Sequence, residues 1–391
     1  MKKVIELETG KINLKVNQIS DFQLEDLFDF AARNNPKRGF LFLSKVLGKH
    51  YPSTPSNILK IHNYLANKLI DLNHNIKDKN TLFIGMAETA IGLGQGIYES
   101  FINQSKSINS LFVHTTRYFL DNYKFIPFAE EHSHAPELFL YYPVKSLFQK
   151  QFVEAKYLVL IDDEISTGQT FINLIQAYIQ LNPNLEKVYI ISILNFLTEQ
   201  RKKEIINTFE NLEIDFINCL EANFTFETNT NYIFNNLPAT QNTRKCQEKN
   251  LLLNTGRLGI NESLNYDFSE VFNYIQKDKS ILILGTGEFM HLPFKLGFEL
   301  EKLNYKVKVQ STTRSPILLG NGIKSILKFS DNYNEGIDNF LYNVSANQYD
   351  QVLLCYETPF NESLNYLSKI LKTTLNIEFT NNKIMISKPK I

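Results

Sequence analysis

The 391-residue chain has few cysteines and few arginines, and it has no long apolar run. Its three cysteines, Cys219, Cys246 and Cys355, lie far apart, which excludes a CxxC metal site and a disulfide framework. No apolar stretch approaches the roughly 18 residues that a membrane-spanning helix needs. Residues 1–8 carry charges where a signal peptide has its apolar core. These absences predict a soluble, cytoplasmic protein with reduced thiols and no membrane partner.

The chain also has no excess of positive or negative charge, because 41 basic residues balance 41 acidic ones. A zero net charge disfavours a broad nucleic-acid surface, so we expect no nucleic-acid partner. Only 7 of the basic residues are arginines. Each arginine therefore draws attention, because lysine cannot reproduce the bidentate guanidinium fork.

Alternating strands and helices indicate an α/β fold. In the first part, helices are predicted at 21–32, 56–72, 89–103 and 169–181, and strands at 81–86, 110–115, 157–161 and 188–194. An Asn-rich polar stretch at 228–254 predicts a linker. Strands then resume at 280–284, 306–310 and 351–355, with helices at 289–303 and 363–371. We therefore place one domain at 1–240 and a second at 241–391.

The most informative segment is 158–170, in which an apolar strand ends in acids and a polar turn precedes a helix. Backbone N–H groups at a helix N-terminus bind anions, and hydroxyl side chains add donors. Two carboxylates beside such a cradle can accept hydrogen bonds from a vicinal diol, so the segment suits a ribose 5-phosphate. A generic strand end with a polar turn is the alternative. The acids are Asp162, Asp163 and Glu164, and the expected phosphate ligands are Ser166, Thr167, Gly168, Gln169 and Thr170.

This segment resembles the PRPP-binding motif of type I phosphoribosyltransferases. Together with SKVLGKH (44–50), GMAETAIGLG (85–94), HTTR (114–117) and EEHSHA (130–135), it resembles the phosphoribosyltransferase of tellurium-resistance-associated biosynthetic operons. Thr313-Arg314-Ser315-Pro316 matches the motif that names the TRSP domain of that family. The resemblance covers nearly the whole chain. It implies a parallel sheet flanked by helices, and a second α/β domain after it.

The resemblance also implies an activity. The ribose 5-phosphate of PRPP would be joined to a nitrogenous base with release of pyrophosphate, in nucleotide or nucleoside biosynthesis. Mg²⁺ would be held by Asp162 and Asp163 or through the pyrophosphate of PRPP. A homodimer is usual for this resemblance, and the base is not implied. The alternative is a non-catalytic regulator that senses PRPP or a nucleotide on the same fold.

The resemblance assigns roles around the acids. Asp162, Asp163, Arg117 and Glu88 would be catalytic; Glu88 would act through Mg²⁺ or on the base side, and Arg117 could equally form a surface salt bridge. Thr89, with Glu164 and the residues of the 166–170 turn, would bind PRPP, and Lys45 and Lys49 would neutralise pyrophosphate. Four residues of a flexible loop would shield the site, unless the loop is simply solvated: Glu130, Glu131, His132 and His134.

The second domain reads as a degenerate copy of the first. Gly85-x-x-Glu88 pairs with Gly285-x-x-Glu288, and Thr115-Thr116-Arg117 with Thr312-Thr313-Arg314. Asp162-Asp163 becomes Cys355-Tyr356, so the copy should not bind PRPP in the usual way. We expect it to bind another anion, to complete the first site or to serve as an assembly surface. Its candidate residues are Arg257, Glu288, Thr313, Arg314 and Ser315.

Overall fold

The computed structural model describes residues 1–18, 21–129, 137–234, 247–381 and 383–389. The strands of the first half are β1 (Lys2–Leu7), β2 (Gly10–Gln18), β3 (Phe28–Ala32), β4 (Phe40–Ser44), β5 (Thr81–Gly85), β6 (Ser110–His114), β7 (Phe125–Ala129), β8 (Glu137–Tyr141), β9 (Tyr157–Ile165), β10 (Lys187–Asn195) and β11 (Glu213–Thr228). Its helices are α1 (Leu24–Leu27), α2 (Pro55–Leu72), α3 (Ile91–Ser105), α4 (Ser146–Val153), α5 (Gln169–Leu181) and α6 (Glu199–Thr208).

Seven of these strands form one sheet in the order β1-β2-β11-β10-β9-β5-β6. The five strands from β11 to β6 run parallel, whereas β1 and β2 pair antiparallel at one edge. The central strands are almost uniformly apolar because both faces of the sheet are covered. All carboxyl ends of the parallel strands meet at one edge of the sheet.

The second half repeats this arrangement. Its strands are β12 (Ser280–Gly285), β13 (Lys306–Ser311), β14 (Ile326–Ser330), β15 (Asp338–Tyr342), β16 (Gln351–Tyr356), β17 (Leu375–Phe379) and β18 (Ile384–Ser387), and its helices are α7 (Ser269–Phe272), α8 (His291–Lys302) and α9 (Glu362–Leu371). The sheet order β13-β12-β16-β17 matches β6-β5-β9-β10, and the β14–β15 hairpin matches β7–β8. This common topology supports the predicted duplication.

Equivalent hydrogen bonds hold equivalent loops in the two halves. Thr116 and Phe139 exchange backbone hydrogen bonds of 3.0 and 2.9 Å, and Thr313 and Phe340 exchange theirs at 3.0 and 2.7 Å. The Tyr141 hydroxyl accepts from the backbone N–H of Leu120, as the Tyr342 hydroxyl accepts from Ile317. The two Thr-Thr-Arg loops are thus fixed in the same way.

One predicted helix is wrong. Only Leu24–Leu27 of the predicted helix 21–32 is helical, and Phe28–Ala32 is strand β3, paired antiparallel with β4. The Phe30 and Phe42 rings meet edge to face at 5.6 Å across this pair. Burial of these aromatic side chains in a two-stranded layer outweighs the local helical pattern.

The predicted elements around the site are otherwise present. The strand predicted at 157–161 continues to Ile165, because Asp162, Glu164 and Ile165 stay paired with β10. The domain boundary predicted at 240/241 and Cys246 lie outside the described residues and stay a prediction. Within the described residues, no helix is long and apolar enough to cross a bilayer.

Candidate active site

A cleft of about 200 Å³ opens where β5 and β9 end and the second domain approaches. Four of the seven arginines of the chain, Arg33, Arg38, Arg117 and Arg314, line it. Three consecutive carboxylates at the end of β9 face the same space. Such a concentration of guanidinium groups in one cleft suits an anionic ligand with several phosphoryl oxygens.

The acids at the end of β9 have different surroundings. Asp162 Oδ1 accepts a 2.9 Å hydrogen bond from the Asp163 backbone N–H. Glu164 accepts a charge-assisted hydrogen bond from Arg38 Nη2, in a pair that is mostly buried. Burial, followed by the charge of Glu164, raises the pKa of Asp163 to about 7. A cation or a hydroxyl donor beside Asp163 would favour its ionised form.

The turn after β9 presents a helix N-terminus to the cleft. Gly168 has a left-handed φ of 74° and is the N-cap of α5, which no side chain caps. Thr167 Oγ1 accepts from the Gln169 backbone N–H at 3.2 Å. The N–H groups that follow Gln169 in the first turn of α5 keep donor capacity for an anion, because Gly168 has no side chain to cap them, and the macrodipole of the helix favours negative charge there.

The loop after β5 also lines the cleft. The peptide bond between Ala87 and Glu88 is cis, and the Ala87 N–H donates to Thr115 Oγ1 at 2.8 Å. Glu88 is buried and forms a 2.7 Å ion pair with Lys49. Burial alone would raise the pKa of Glu88, but Lys49, Arg314 and Arg117 outweigh it and hold that pKa below its usual value. Glu88 is therefore an ionised group in a cationic environment.

The cleft brings together most of the predicted PRPP ligands. Gln169 points elsewhere, because its amide donates to Asn173 Oδ1 at 2.9 Å. Lys45 donates to the Glu25 carbonyl at 2.8 Å and does not line the cleft. The residues that do line it are Glu88, Thr89, Arg117, Asp162, Asp163, Glu164, Ser166, Thr167, Gly168 and Thr170.

Lys49 contributes only indirectly. It is fully buried and donates to the Gly287 carbonyl at 2.7 Å, so its ammonium group joins the two domains and neutralises Glu88. The geometry gives no support to direct pyrophosphate contact by Lys45 or Lys49, or to 5-phosphate contact by the Gln169 side chain. Glu130, Glu131, His132 and His134 lie outside the described residues, so their predicted shielding role stays a prediction.

The second-domain candidates divide into two groups. Thr313, Arg314 and Ser315 line the first-domain cleft. Arg257 and Glu288 instead form a buried ion pair of 3.2 Å beneath it, which also includes Glu357.

The resemblance implies a hood that selects the base, and its parts are expected only broadly, in residues 10–50 and 213–240. Arg33, Leu41, Phe42 and His50 of the first range line the cleft, whereas no residue of 213–234, the described part of the second, does so. Phe42 is stacked on Phe196 at 4.3 Å, which fixes its ring. Burial and then Lys49 lower the pKa of His50 to about 3, so His50 is neutral at pH 7. The scarcity of arginine and the 44–50 motif were the signals that could have identified these residues.

The fit to Mg²⁺ rests on the Asp162 and Asp163 carboxylates. Among the residues that the structure describes, no three His, Cys, Asp or Glu side chains are grouped to hold a metal ion. Mg²⁺ commonly binds one or two carboxylates together with waters and substrate phosphates. Asp162 and Asp163 are half-buried beside the phosphate loop, so this donor set fits an ion that arrives with a phosphorylated substrate.

Similar solved structures include adenine phosphoribosyltransferases from three organisms. That of Trypanosoma brucei is 14% identical and matches over 50% of this chain and 77% of its own, with a TM-score of 0.34. The Leishmania donovani enzyme is 16% identical and matches over 51% of this chain and 78% of its own, with a TM-score of 0.34. The Giardia lamblia enzyme is 12% identical and matches over 51% of this chain and 98% of its own, with a TM-score of 0.34. These scores indicate a distant likeness only, and no curated protein matches the chain.

The sequence families give the stronger result. Residues 254–373 match the domain described as the TRSP domain C-terminal to the phosphoribosyl transferase. Residues 27–223, about half of the chain, match the family described as phosphoribosyl transferase. The protein therefore belongs to the phosphoribosyl transferase family, and it carries the TRSP domain that accompanies that family.

Proposed function

We propose that the cleft binds PRPP and that the protein joins its ribose 5-phosphate to a nitrogenous base, releasing pyrophosphate. One observation carries the proposal: a single cleft collects the acids of β9, the uncapped N-terminus of α5 and the Arg117 loop. A ribose hydroxyl pair, a 5-phosphate and a pyrophosphate group require these three kinds of site in this proximity.

Each part of PRPP has a partner in this arrangement. Asp162 and Asp163 accept hydrogen bonds from the ribose hydroxyls. The turn Ser166–Gly168, with Thr170, donates to the 5-phosphate. Thr89 and Arg117 bind the pyrophosphate end. When bound, Mg²⁺ would neutralise pyrophosphate beside Asp162 and Asp163.

The reaction is a displacement at C1′ of the ribose. A base nitrogen attacks from the face opposite to pyrophosphate, and the C1′–O bond breaks with its electron pair on the departing pyrophosphate. Positive charge develops on the ribose, and the oxygens of the Asp162 and Asp163 side chains beside it stabilise it electrostatically. Because little covalent chemistry is required of the protein, positioning by the cleft supplies much of the rate.

The base is proposed to lie against the Leu41 and Phe42 wall. Arg38 extends along this wall, with its guanidinium carbon 5.0 Å from the Phe40 ring and 5.9 Å from the Phe42 ring. Neutral His50 offers a ring nitrogen close to the same region. Planar apolar surface edged by such polar groups suits a nitrogen heterocycle with exocyclic acceptors.

The wider role is also proposed from the resemblance. The product would be a nucleotide or nucleoside made by an operon linked to tellurium resistance, in the cytoplasm, by a protein that forms homodimers. Gel filtration with light scattering would test the dimer.

A screen tests the activity. The full chain is incubated with PRPP, Mg²⁺ and, in turn, orotate, purines and other ring-nitrogen compounds, and pyrophosphate release is measured; calorimetry measures PRPP binding. Base-dependent release is the expected result. Tight PRPP binding without release with any base would favour the sensing regulator. Absence of PRPP binding would refute both the transferase and a regulator that senses PRPP.

A further inference from the structure

The repeat places two arginines at equivalent positions, Arg117 in the first domain and Arg314 in the second. A duplicated protein with two independent sites would place one arginine in each. Here both side chains line the cleft of the first domain. The second domain therefore presents its own Thr-Thr-Arg loop to the active site of its neighbour.

Hydrogen bonds between the domains hold the Thr-Thr-Arg loop of the first domain. Glu288 of the second domain accepts from the Thr116 hydroxyl at 2.6 Å and from the Arg117 backbone N–H at 2.9 Å. In the other direction, Glu88 of the first domain faces Arg314, whose charge helps to keep the Glu88 carboxyl ionised. Glu288 therefore holds the Arg117 loop by hydrogen bonds, whereas Glu88 and Arg314 interact through their charges in the cleft that both line.

The second-domain counterpart of the cleft is filled by side chains of that domain. Arg257, only 1% exposed, lies between Glu288 and Glu357. The Asn361 side chain caps α9 by accepting from the Leu364 N–H, whereas α5 has no side-chain cap. With its acids replaced, its helix capped and its interior occupied by an arginine, this half has lost the features that would hold PRPP.

Arg314 keeps hydrogen-bonding capacity at the cleft. Its Nη2 donates to Glu335 at 2.6 Å, and its guanidinium carbon lies 4.8 Å from the centre of the Tyr118 ring. Its Nη1 has no hydrogen-bond partner among the residues that the structure describes. A guanidinium held in place by a carboxylate and a ring, with donors unused, is suited to a phosphoryl oxygen.

We propose that Arg314, flanked by Thr313 and Ser315, is the pyrophosphate-binding residue that the TRSP domain contributes to the first-domain site. This inference rests on the proposed function, because it assumes that the cleft binds PRPP. Arg314 is assigned to the pyrophosphate end because its loop is the counterpart of the loop that carries Arg117, the proposed pyrophosphate ligand, and both arginines line the cleft together with Glu88. The second domain thereby completes the active site of the first domain within one chain and does not itself bind PRPP.

Binding of the parts of PRPP tests this assignment. Calorimetry with the full chain measures pyrophosphate with Mg²⁺, ribose 5-phosphate and PRPP separately. Arg314→Gln is expected to weaken pyrophosphate and PRPP binding at least tenfold and to leave ribose 5-phosphate binding within about twofold. Lys324→Gln, which removes an exposed charge from the same domain, is the matched control and should change none of the three.

Two further variants guard against misfolding. Arg314→Gln/Glu335→Gln removes both members of the pair and leaves no carboxylate unpaired, and Arg314→Lys keeps the charge without the fork. Both should melt near the wild type and bind pyrophosphate more weakly. If the wild type binds PRPP and these folded variants bind pyrophosphate as tightly as it does, the role of Arg314 is refuted and the proposed function stands. If the wild type does not bind PRPP, the proposed function fails.

Discussion

Arg257 and Glu357 are joined by two hydrogen bonds of 2.9 Å in the interior of the second domain. Glu164, the counterpart of Glu357 in the repeat, is also paired with an arginine, Arg38, but that pair lies in the wall of an open cleft. The end of the equivalent strand is therefore buried in the second domain and borders an open cleft in the first. Stability and ligand binding should depend on these two arginines very differently.

Replacing Arg257 should destabilise the protein strongly. Arg257→Met would leave Glu288 and Glu357 buried without their cation, and breaking such a pair costs about 3–5 kcal/mol. Urea unfolding of the variant measures the loss. Lys328→Met is the control, because its 2.7 Å pair with Asp338 is more than half exposed and should contribute under about 1 kcal/mol. Equal losses in the two variants would contradict the importance of burial.

The two adjacent aspartates should be essential for transfer. Asp162→Asn with Asp163→Asn should lower pyrophosphate release at least about 100-fold, because charge stabilisation in the transition state is lost. The fold should persist, as judged by circular dichroism. The matched control is Glu213→Gln with Asp215→Asn. It also removes two carboxylates, but from the start of β11, where they pair with Lys187. Undiminished turnover in the first double variant would refute the site.

Gly168 should matter for phosphate binding beyond its backbone strain. Alanine at this left-handed position costs about 1–2 kcal/mol, and its Cβ would lie 2.7 Å from Ile205 Cδ1, so the loop or Ile205 must shift. We expect Gly168→Ala to weaken ribose 5-phosphate binding about tenfold. Gly336→Ala is matched, since its φ is 73° and its Cβ would meet nothing within 4 Å. Similar binding defects in both variants would show that strain alone is responsible.

Acid should weaken a link between the domains. Glu99 of α3 accepts from His291 at 3.0 Å and from Lys295 at 2.9 Å, both on α8. Burial opposes ionisation of Glu99, but the charge and hydrogen bond of His291 and those of Lys295 outweigh it and lower its pKa to about 2. Its stabilisation is therefore complete above the unfolded pKa of about 4.5 and is lost as the pH falls towards 2.

The Glu99→Gln variant tests this sign. At pH 7 it should be less stable than the wild type by about 2 kcal/mol, and the difference should shrink progressively between pH 5 and pH 3. Denaturant unfolding at each pH gives the difference directly. A gap that is constant or grows on acidification would contradict the depressed pKa of Glu99.

Local features of the site could be predicted because local physics determines them. Helix 169–181 was predicted at the bounds that α5 has, since Gly168 marks its start and apolar residues follow the helical period. The helix predicted at 21–32 was wrong at Phe28–Ala32, because this segment pairs with β4 (Phe40–Ser44), which lies outside the segment that carries the helical pattern. Pairing with another segment cannot be read from a single window of sequence.

Side-chain roles were less predictable than elements. Lys49 was expected at pyrophosphate and is instead buried against Glu88 and Gly287, in a contact that spans 238 positions of the chain. Arg38 is one of the seven arginines of the chain, and its pairing with Glu164 requires the β3–β4 layer to lie over the end of β9. Such contacts depend on how elements from separate parts of the chain pack together, which the local sequence pattern does not reveal.

The sequence by itself determined the acids, hydroxyls and glycine of the 162–170 motif, the alternation of strands and helices, and the repeat that lacks those acids. These features follow from periodicity, turn geometry and residue chemistry over short distances. Only the tertiary structure decided that Arg314 lies in the cleft of the other domain and that Arg257 fills its own. The physical reason is that these positions depend on contacts between residues far apart in the chain, such as the hydrogen bonds from Thr116 and Arg117 to Glu288.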